Sequence, residues 1–245
     1  MFSWFSKRKT KDLDILDFSV LKTDLHSHLI PGIDDGSPDM KTTILLIKEL
    51  QKLGYKKIIT SPHVMSDFYR NSSETILEGL MNIRNELQNQ KINMEIDAIA
   101  EYYIDYDFEQ KIGKENFLCF GDNYLLVELS FIESPRNLFE ILFKLQLEDY
   151  KVVLAHPERY NYFEMKDYQD LVRRGVLLQI NLLSLIGYYS PHIKNKTEDL
   201  IRKNMVSFAG TDCHNIRHVE LYKNCQTKKA WHDLCNSGKL LNSTL

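Results

Sequence analysis

Thr23-Asp24-Leu25-His26-Ser27-His28-Leu29-Ile30-Pro31-Gly32-Ile33-Asp34-Asp35-Gly36 follows the apolar pair Val20-Leu21 and runs into two turn-forming clusters, Pro-Gly and Asp-Asp-Gly. Side chains alternate along an extended segment, so His26 and His28 point to one side of it. A strand end of this kind presents two imidazole nitrogens to one metal ion. A lone His-x-His fits two ordinary hydrogen-bonding histidines equally well, and the weight comes from repetition of the pattern down the chain.

From Leu21 onward, short apolar runs end in a polar tip and give way to segments of helical period. Ile44, Leu45, Ile47, Leu50 and Leu53 form an apolar helix stripe with Gly54 as its stop. Lys57 to Thr60 is a strand leading into Ser61-Pro62-His63, and a helix covers about Ser73 to Gln90. Met94 to Ala100 ends at Glu101, Tyr124 to Val127 ends at Glu128, and a helix follows from Leu138 to Leu147. Val152 to Ala155 leads into His156-Pro157-Glu158-Arg159, and Val176 to Ile180 ends near Asn181. A helix near Thr197 to Lys203 precedes Val206 to Ala209, which ends in Gly210-Thr211-Asp212-Cys213-His214. One closing helix is expected between Val219 and Ser237.

Seven strand-helix units with no linker between them predict an α/β protein with parallel strands, a TIM-like barrel one unit short of the eightfold type. In such a barrel the carboxyl ends of the strands converge on one face, where residues distant in sequence meet. The predicted domain runs from residue 21 to 245, preceded by a flexible extension over residues 1–20. Phe2, Trp4 and Phe5 ahead of a cationic run could touch a membrane surface, but a frayed terminus is the simpler reading.

Composition narrows the function. The chain has 245 residues, 43% of them hydrophobic and 27% charged, with a formal charge of −3 and scattered basic residues. That argues against a nucleic-acid-binding face. There is no apolar run long enough to span a bilayer and no signal-peptide pattern at the start, so a cytoplasmic protein is expected. The four cysteines form no C-x-x-C pair and read as reduced thiols.

The strand-end residues are His26, His28, His63, Glu101, Glu128, His156, Asp212 and His214, with Asp35 on the loop after the first strand; five of the eight histidines fall in this set. Each alone has an ordinary reading as a cap or a solvated group. Their joint placement at one class of position does not. Four carboxylates in one pocket repel one another unless cations neutralise them. Nine ligands suit roughly three ions, and three divalent cations against four carboxylates leave a charge of about +2, which attracts a phosphate dianion.

The segments 24–36, Ser-Pro-His at 61–63, Glu-Tyr-Tyr at 101–103, Glu128, His-Pro-Glu-Arg at 156–159 and Gly-Thr-Asp-Cys-His-Asn at 210–215 resemble the polymerase-and-histidinol-phosphatase (PHP) superfamily. Within it they are similar to the bacterial metal-dependent protein-tyrosine phosphatases of capsular and exopolysaccharide operons, the CpsB/YwqE type. The likeness runs from about residue 22 to 216, and Pro-Gly-Ile-Asp-Asp-Gly is its specific part.

The resemblance implies a distorted (β/α)7 barrel with three divalent metal ions, manganese first, with iron and zinc as alternatives. It gives His26, His28, Glu101 and Asp212 to one ion, Glu101, Glu128 and His156 to a second, and Asp35, His63 and His214 to a third. Asp34 stays open as the alternative to Asp35. The implied catalytic residues are Arg159, which forks onto phosphate oxygens, and Asp35, His63 and His214. A second arginine clamp expected after the Asp-x-His motif has only Arg217, earlier than the pattern, beside His218. The implied reaction is attack on phosphorus by a water bridging the metals. The implied partner is a phosphotyrosine protein, the tail of a membrane-associated bacterial tyrosine kinase. None of Cys119, Cys213, Cys225 and Cys235 has an arginine six residues on, so the Cys-x5-Arg cradle of thiol phosphatases is absent. A histidinol-phosphate type phosphatase and a metal-free binding module are the competing readings.

Overall fold

The computed structural model describes residues 13–245. Residues 1–12 of the expected extension, with Phe2, Trp4 and Phe5, lie outside the described residues. The described part contains β1 (Thr23–Asp24), α1 (Met40–Lys52), β2 (Lys57–Thr60), β3 (His63–Val64), α2 (Ser73–Asn89), β4 (Glu95–Ala98), β5 (Glu101–Tyr103) and α3 (Tyr106–Lys111). It continues with β6 (Tyr124–Glu128), α4 (Leu138–Leu147), β7 (Lys151–Ala155), α5 (Met165–Arg173), β8 (Leu177–Asn181), α6 (Pro191–Arg202), β9 (Val206–Gly210), α7 (Ile216–Tyr222) and α8 (Lys229–Asn236).

The strands pair in parallel in two sheets, β1-β2-β4 and β3-β5-β6-β7-β8-β9. The fold is mixed α/β with parallel sheets. The expected strand Lys57–Thr60 is β2 and that over Met94–Ala100 is β4, and past the Ser61-Pro62 and Ile99-Ala100 steps the short strands β3 and β5 resume the pairing. Pro62 has no N–H to give. Its carbonyl still accepts from the Glu101 N–H at 3.0 Å, and Thr60 O accepts from Ile99 N–H at 2.9 Å. Side chains replace the ladder beside this step: Leu29 N–H donates to Thr60 Oγ1 at 2.9 Å, and Thr60 Oγ1 donates to Ser27 O at 2.8 Å. The far edges also touch, through a parallel bridge between Ser27 and Cys213 and the bond from Asp212 N–H to His26 O at 2.7 Å.

The apolar residues divide by strand alternation. Leu125 and Val127 of β6, and Val152 and Leu154 of β7, join the large cluster that includes the helices' buried faces. Leu126, Val153, Ala155 and Phe208 join a smaller inner cluster with Leu25, Ile59, Ile99 and Phe120. Strands buried on both faces in this way read as continuous apolar runs.

Several expectations are corrected. Within the expected extension Phe18 is fully buried, its ring 5.6 Å from Tyr55 and 5.1 Å from Trp231. The expected closing helix is two, α7 and α8. Between them the carbonyls of Gln226 and Thr227 accept from Leu16 and Leu13 N–H, so the chain there serves the N-terminal segment instead of a helix. α6 starts at Pro191 behind the Ser190 cap, six residues before the expected start. The short helices α3 and α5 have no counterpart among the expected helices.

Candidate metal centre

The predicted residues meet at one end of the strands. His26 and His28 face the same way, and their Nε2 atoms are 3.4 Å apart. Glu101 Oε2 lies 3.2 Å from His26 Nε2 and 3.5 Å from His28 Nε2; Asp212 Oδ1 lies 3.5 and 3.3 Å from the same two atoms. The other ring nitrogens are tied back. His26 Nδ1 donates to Gln179 Oε1 at 2.7 Å and His28 Nδ1 to Asp34 Oδ2 at 2.8 Å, which turns both Nε2 atoms to the centre.

This geometry separates the two adjacent acids. Asp34 is turned inward and also accepts from the Gly36 and His63 N–H groups. Asp35 is half-exposed, with Oδ1 3.6 Å from His63 Nε2 and 3.5 Å from His214 Nε2. His214 Nδ1 donates to Asp212 O at 2.9 Å. His63 bridges two groups, because its Nδ1 lies 3.1 Å from Glu101 Oε2 and 3.5 Å from Glu128 Oε2. His156 Nε2 lies 2.9 Å from Glu101 Oε1 and 3.6 Å from Glu128 Oε1. The ligand atoms fall into four overlapping sets: His28/Asp35/His63/His214, His26/His28/Glu101, His26/His156/Asp212 and His63/Glu101/Glu128. The sets overlap more than the three implied by resemblance, with His63 beside Glu101 and Glu128.

The backbone turns sharply to aim two of these side chains. His156 (φ 33°) and Asp212 (φ 53°) both sit in the left-handed region, a conformation costing about 1–2 kcal/mol for a residue with a Cβ. Gly210 is required by a close approach: a Cβ there would lie 2.6 Å from His26 Cβ.

Charge at the centre is unbalanced. Burial, reinforced by Glu101 and Asp212, pushes Glu128 well above the usual carboxylate range. Burial opposes ionisation of Asp212 too, but His26, His214 and His28 outweigh it and hold Asp212 well below that range. Burial lowers His156 to about 4. Among the described residues, His63 Nδ1, Glu101 Oε2 and Glu128 Oε2 are buried without a hydrogen bond. Buried polar atoms are rarely left so, and these three point at one another. Nitrogen and carboxylate donors in excess of their own hydrogen bonds fit divalent cations.

Six of the nine predicted donors line a cavity of about 390 Å³ at the surface, while His26, His28 and Glu101 are fully buried. Arg159 reaches the same cavity and places Nη1 3.4 Å from Asp212 Oδ2. Arg217 is exposed and outside the cavity lining; His218 lines it instead. Phe131, Tyr188 and Tyr189 complete the wall. Phe131 gave no signal in the sequence, since a loop aromatic has no period to mark it. A larger cavity of about 1190 Å³, between the loop after β3 and α3, contains none of the predicted site residues.

The sequence profile of the capsular polysaccharide synthesis family CpsB/CapC matches residues 22–239. The chain is 29% identical over 199 residues to the tyrosine-protein phosphatase YwqE of Bacillus subtilis, covering 79% of this chain and 78% of that protein. It is 25% identical over 201 residues to the tyrosine-protein phosphatase CpsB of Streptococcus pneumoniae, covering 79% and 83%. Its structure is similar to one from the crystallographic work on these two proteins, described there as unique metal-dependent tyrosine phosphatases. That match has a TM-score of 0.78 at 26% identity and covers 90% of this chain and 94% of the other. A lactonase of Listeria monocytogenes shares the fold alone, with a TM-score of 0.50 at 11% identity. The chain belongs to the CpsB/CapC family of capsular polysaccharide synthesis proteins.

Proposed function

We propose that this chain is a metal-dependent protein-tyrosine phosphatase of capsular or exopolysaccharide synthesis. The observation that carries the reading is the convergence of nine histidine and carboxylate donors beside Arg159 at one mouth, in a chain similar over most of its length to tyrosine phosphatases. The fit to metal rests on the unpartnered buried atoms of His63, Glu101 and Glu128.

Three divalent ions, with manganese ahead of iron and zinc, would be held by His26, His28, Glu101 and Asp212, by Glu101, Glu128 and His156, and by Asp35, His63 and His214. Such ions supply Lewis-acid polarisation of the phosphate and a water acidified toward neutral pH for in-line attack. Gln179 and Asp34 keep the His26 and His28 Nε2 atoms forward. Arg159 grips phosphate oxygens through its N–H edge. The phenolate leaving group, with a pKa of about 10, needs little protonation. The four thiols take no part. We read the two sheets as one distorted (β/α)7 barrel in a single domain, supported by the Ser27–Cys213 bridge and the inner apolar cluster.

Among the described residues no helix is long and apolar enough to cross a membrane. We take the substrate to be the phosphotyrosine tail of a membrane-associated kinase, reached from the cytoplasm. Phosphate release from phosphotyrosyl peptide, phosphoseryl peptide and histidinol phosphate, with and without chelator, tests the reading. Chelator-sensitive hydrolysis favouring phosphotyrosine is expected. Preference for histidinol phosphate, or turnover indifferent to chelator, would overturn it.

A further inference from the structure

We propose that Phe131 and Tyr189 are positioning residues that hold the Arg159 guanidinium between them and so fix the plane in which it meets phosphate. The inference rests on the phosphatase reading above. Arg159 ends the tight turn Pro157–Arg159 after β7. Its Cζ lies 4.4 Å from the Phe131 ring centroid and 4.5 Å from that of Tyr189. The cation therefore lies over the face of each of the two rings. The contact to Asp212 Oδ2 at 3.4 Å is too long to fix the group alone.

The two jaws differ. Tyr189 is anchored: its hydroxyl accepts from Asn181 Nδ2 at 3.1 Å, and the same nitrogen donates to Asp212 Oδ2 at 2.6 Å. Phe131, from the loop after β6, is 43% exposed and packs against His156 and Tyr160 at 5.6 and 5.7 Å between centroids. A long arginine side chain otherwise samples many rotamers, and a two-pronged grip on phosphate tolerates only a narrow range of plane angles. Contact with both rings removes that freedom before substrate arrives.

The test is a double-mutant cycle on the metal-loaded protein with phenyl phosphate, alongside metal content and Tm. F131A and Y189A are each expected to lower kcat/KM about tenfold, with F131W and Y189F restoring most of it. In an R159A background the F131A loss should vanish. Guanidinium added to R159A should restore part of the activity, and none in F131A/R159A, because the empty slot needs both rings. An F131A loss of the same size with and without Arg159 overturns the clamp and makes Phe131 a direct platform for the substrate ring, leaving the phosphatase reading intact. No effect of R159A on kcat/KM overturns the clamp and the role given to the arginine, while metal-dependent hydrolysis stands. Because Phe131 is exposed, its variants should fold; should Y189A lose metal or melt early, Y189L and the F131 pair decide.

Discussion

Replacing Asp34 by asparagine tests whether the acid next to the exposed Asp35 acts on the centre through His28. The Asp34 carboxylate accepts three hydrogen bonds, from His28 Nδ1 at 2.8 Å, Gly36 N–H at 2.9 Å and His63 N–H at 3.2 Å. Asparagine keeps the volume but turns one oxygen into an NH2 donor. If the amide oxygen stays on Gly36, the new NH2 faces two donors, His28 Nδ1–H and His63 N–H. The imidazole then rotates or takes the other tautomer, and its Nε2 no longer presents a lone pair. Loss of such a buried orienting partner lowers metal affinity or activity about 10- to 100-fold, which is about 1.4–2.7 kcal/mol. Calorimetric titration of chelator-stripped protein with manganese, beside kcat/KM for a phosphotyrosyl peptide, reads both. Metal affinity and turnover of D34N within twofold of wild type would refute the reasoning and return the question to Asp35 alone.

Three further outcomes follow from buried groups. Burial raises Glu158 from about 4.5 to about 7 while Ser184 and the Asn181 N–H bind its Oε1. The folded state therefore holds this proton more tightly, and its stabilising effect is complete below about pH 4.5 and lost by about pH 7, a change of about 3 kcal/mol. E158Q stays neutral, so urea melts should show wild type losing about that much relative to E158Q over this range; parallel curves would contradict it. Burial pushes Cys119 and Cys235 up to about 12, and Cys213 and Cys225 further still. Alkylation by iodoacetamide should be slow at pH 7, rise about tenfold per pH unit and leave hydrolysis unchanged, whereas rapid inactivation would point to a thiol mechanism. In G210A the new Cβ meets His26 Cβ at 2.6 Å, so a loss of about 1–3 kcal/mol in thermal unfolding is expected together with weaker metal retention; a variant indistinguishable from wild type would show that the approach is not tight.

The strands were legible because apolar runs such as Tyr124–Glu128 and Lys151–Ala155 are buried on both faces and end in a charged or imidazole tip. Their pairing into two sheets was not, since the break at Ser61-Pro62 depends on side-chain bonds to Ser27 and Leu29. α5 leaves no apolar stripe in the sequence, because only Tyr168 and Leu171 of its nine residues are buried. The split of the closing helix is set by backbone bonds to Leu13 and Leu16, more than 200 residues away. At the site, the histidines and acids could be found by their recurrence at strand ends. Asp34 and Asp35 could not be told apart, because neighbouring residues of a loop point different ways and only the fold says which. The aromatic pair around Arg159 comes from two loops without periodicity.

The most direct measurement is an anomalous difference map from crystals of this chain grown with manganese. The account predicts peaks among His26, His28, Glu101 and Asp212, among Glu101, Glu128 and His156, and among Asp35, His63 and His214. A map without peaks there, from protein that still hydrolyses phosphotyrosine, would contradict it.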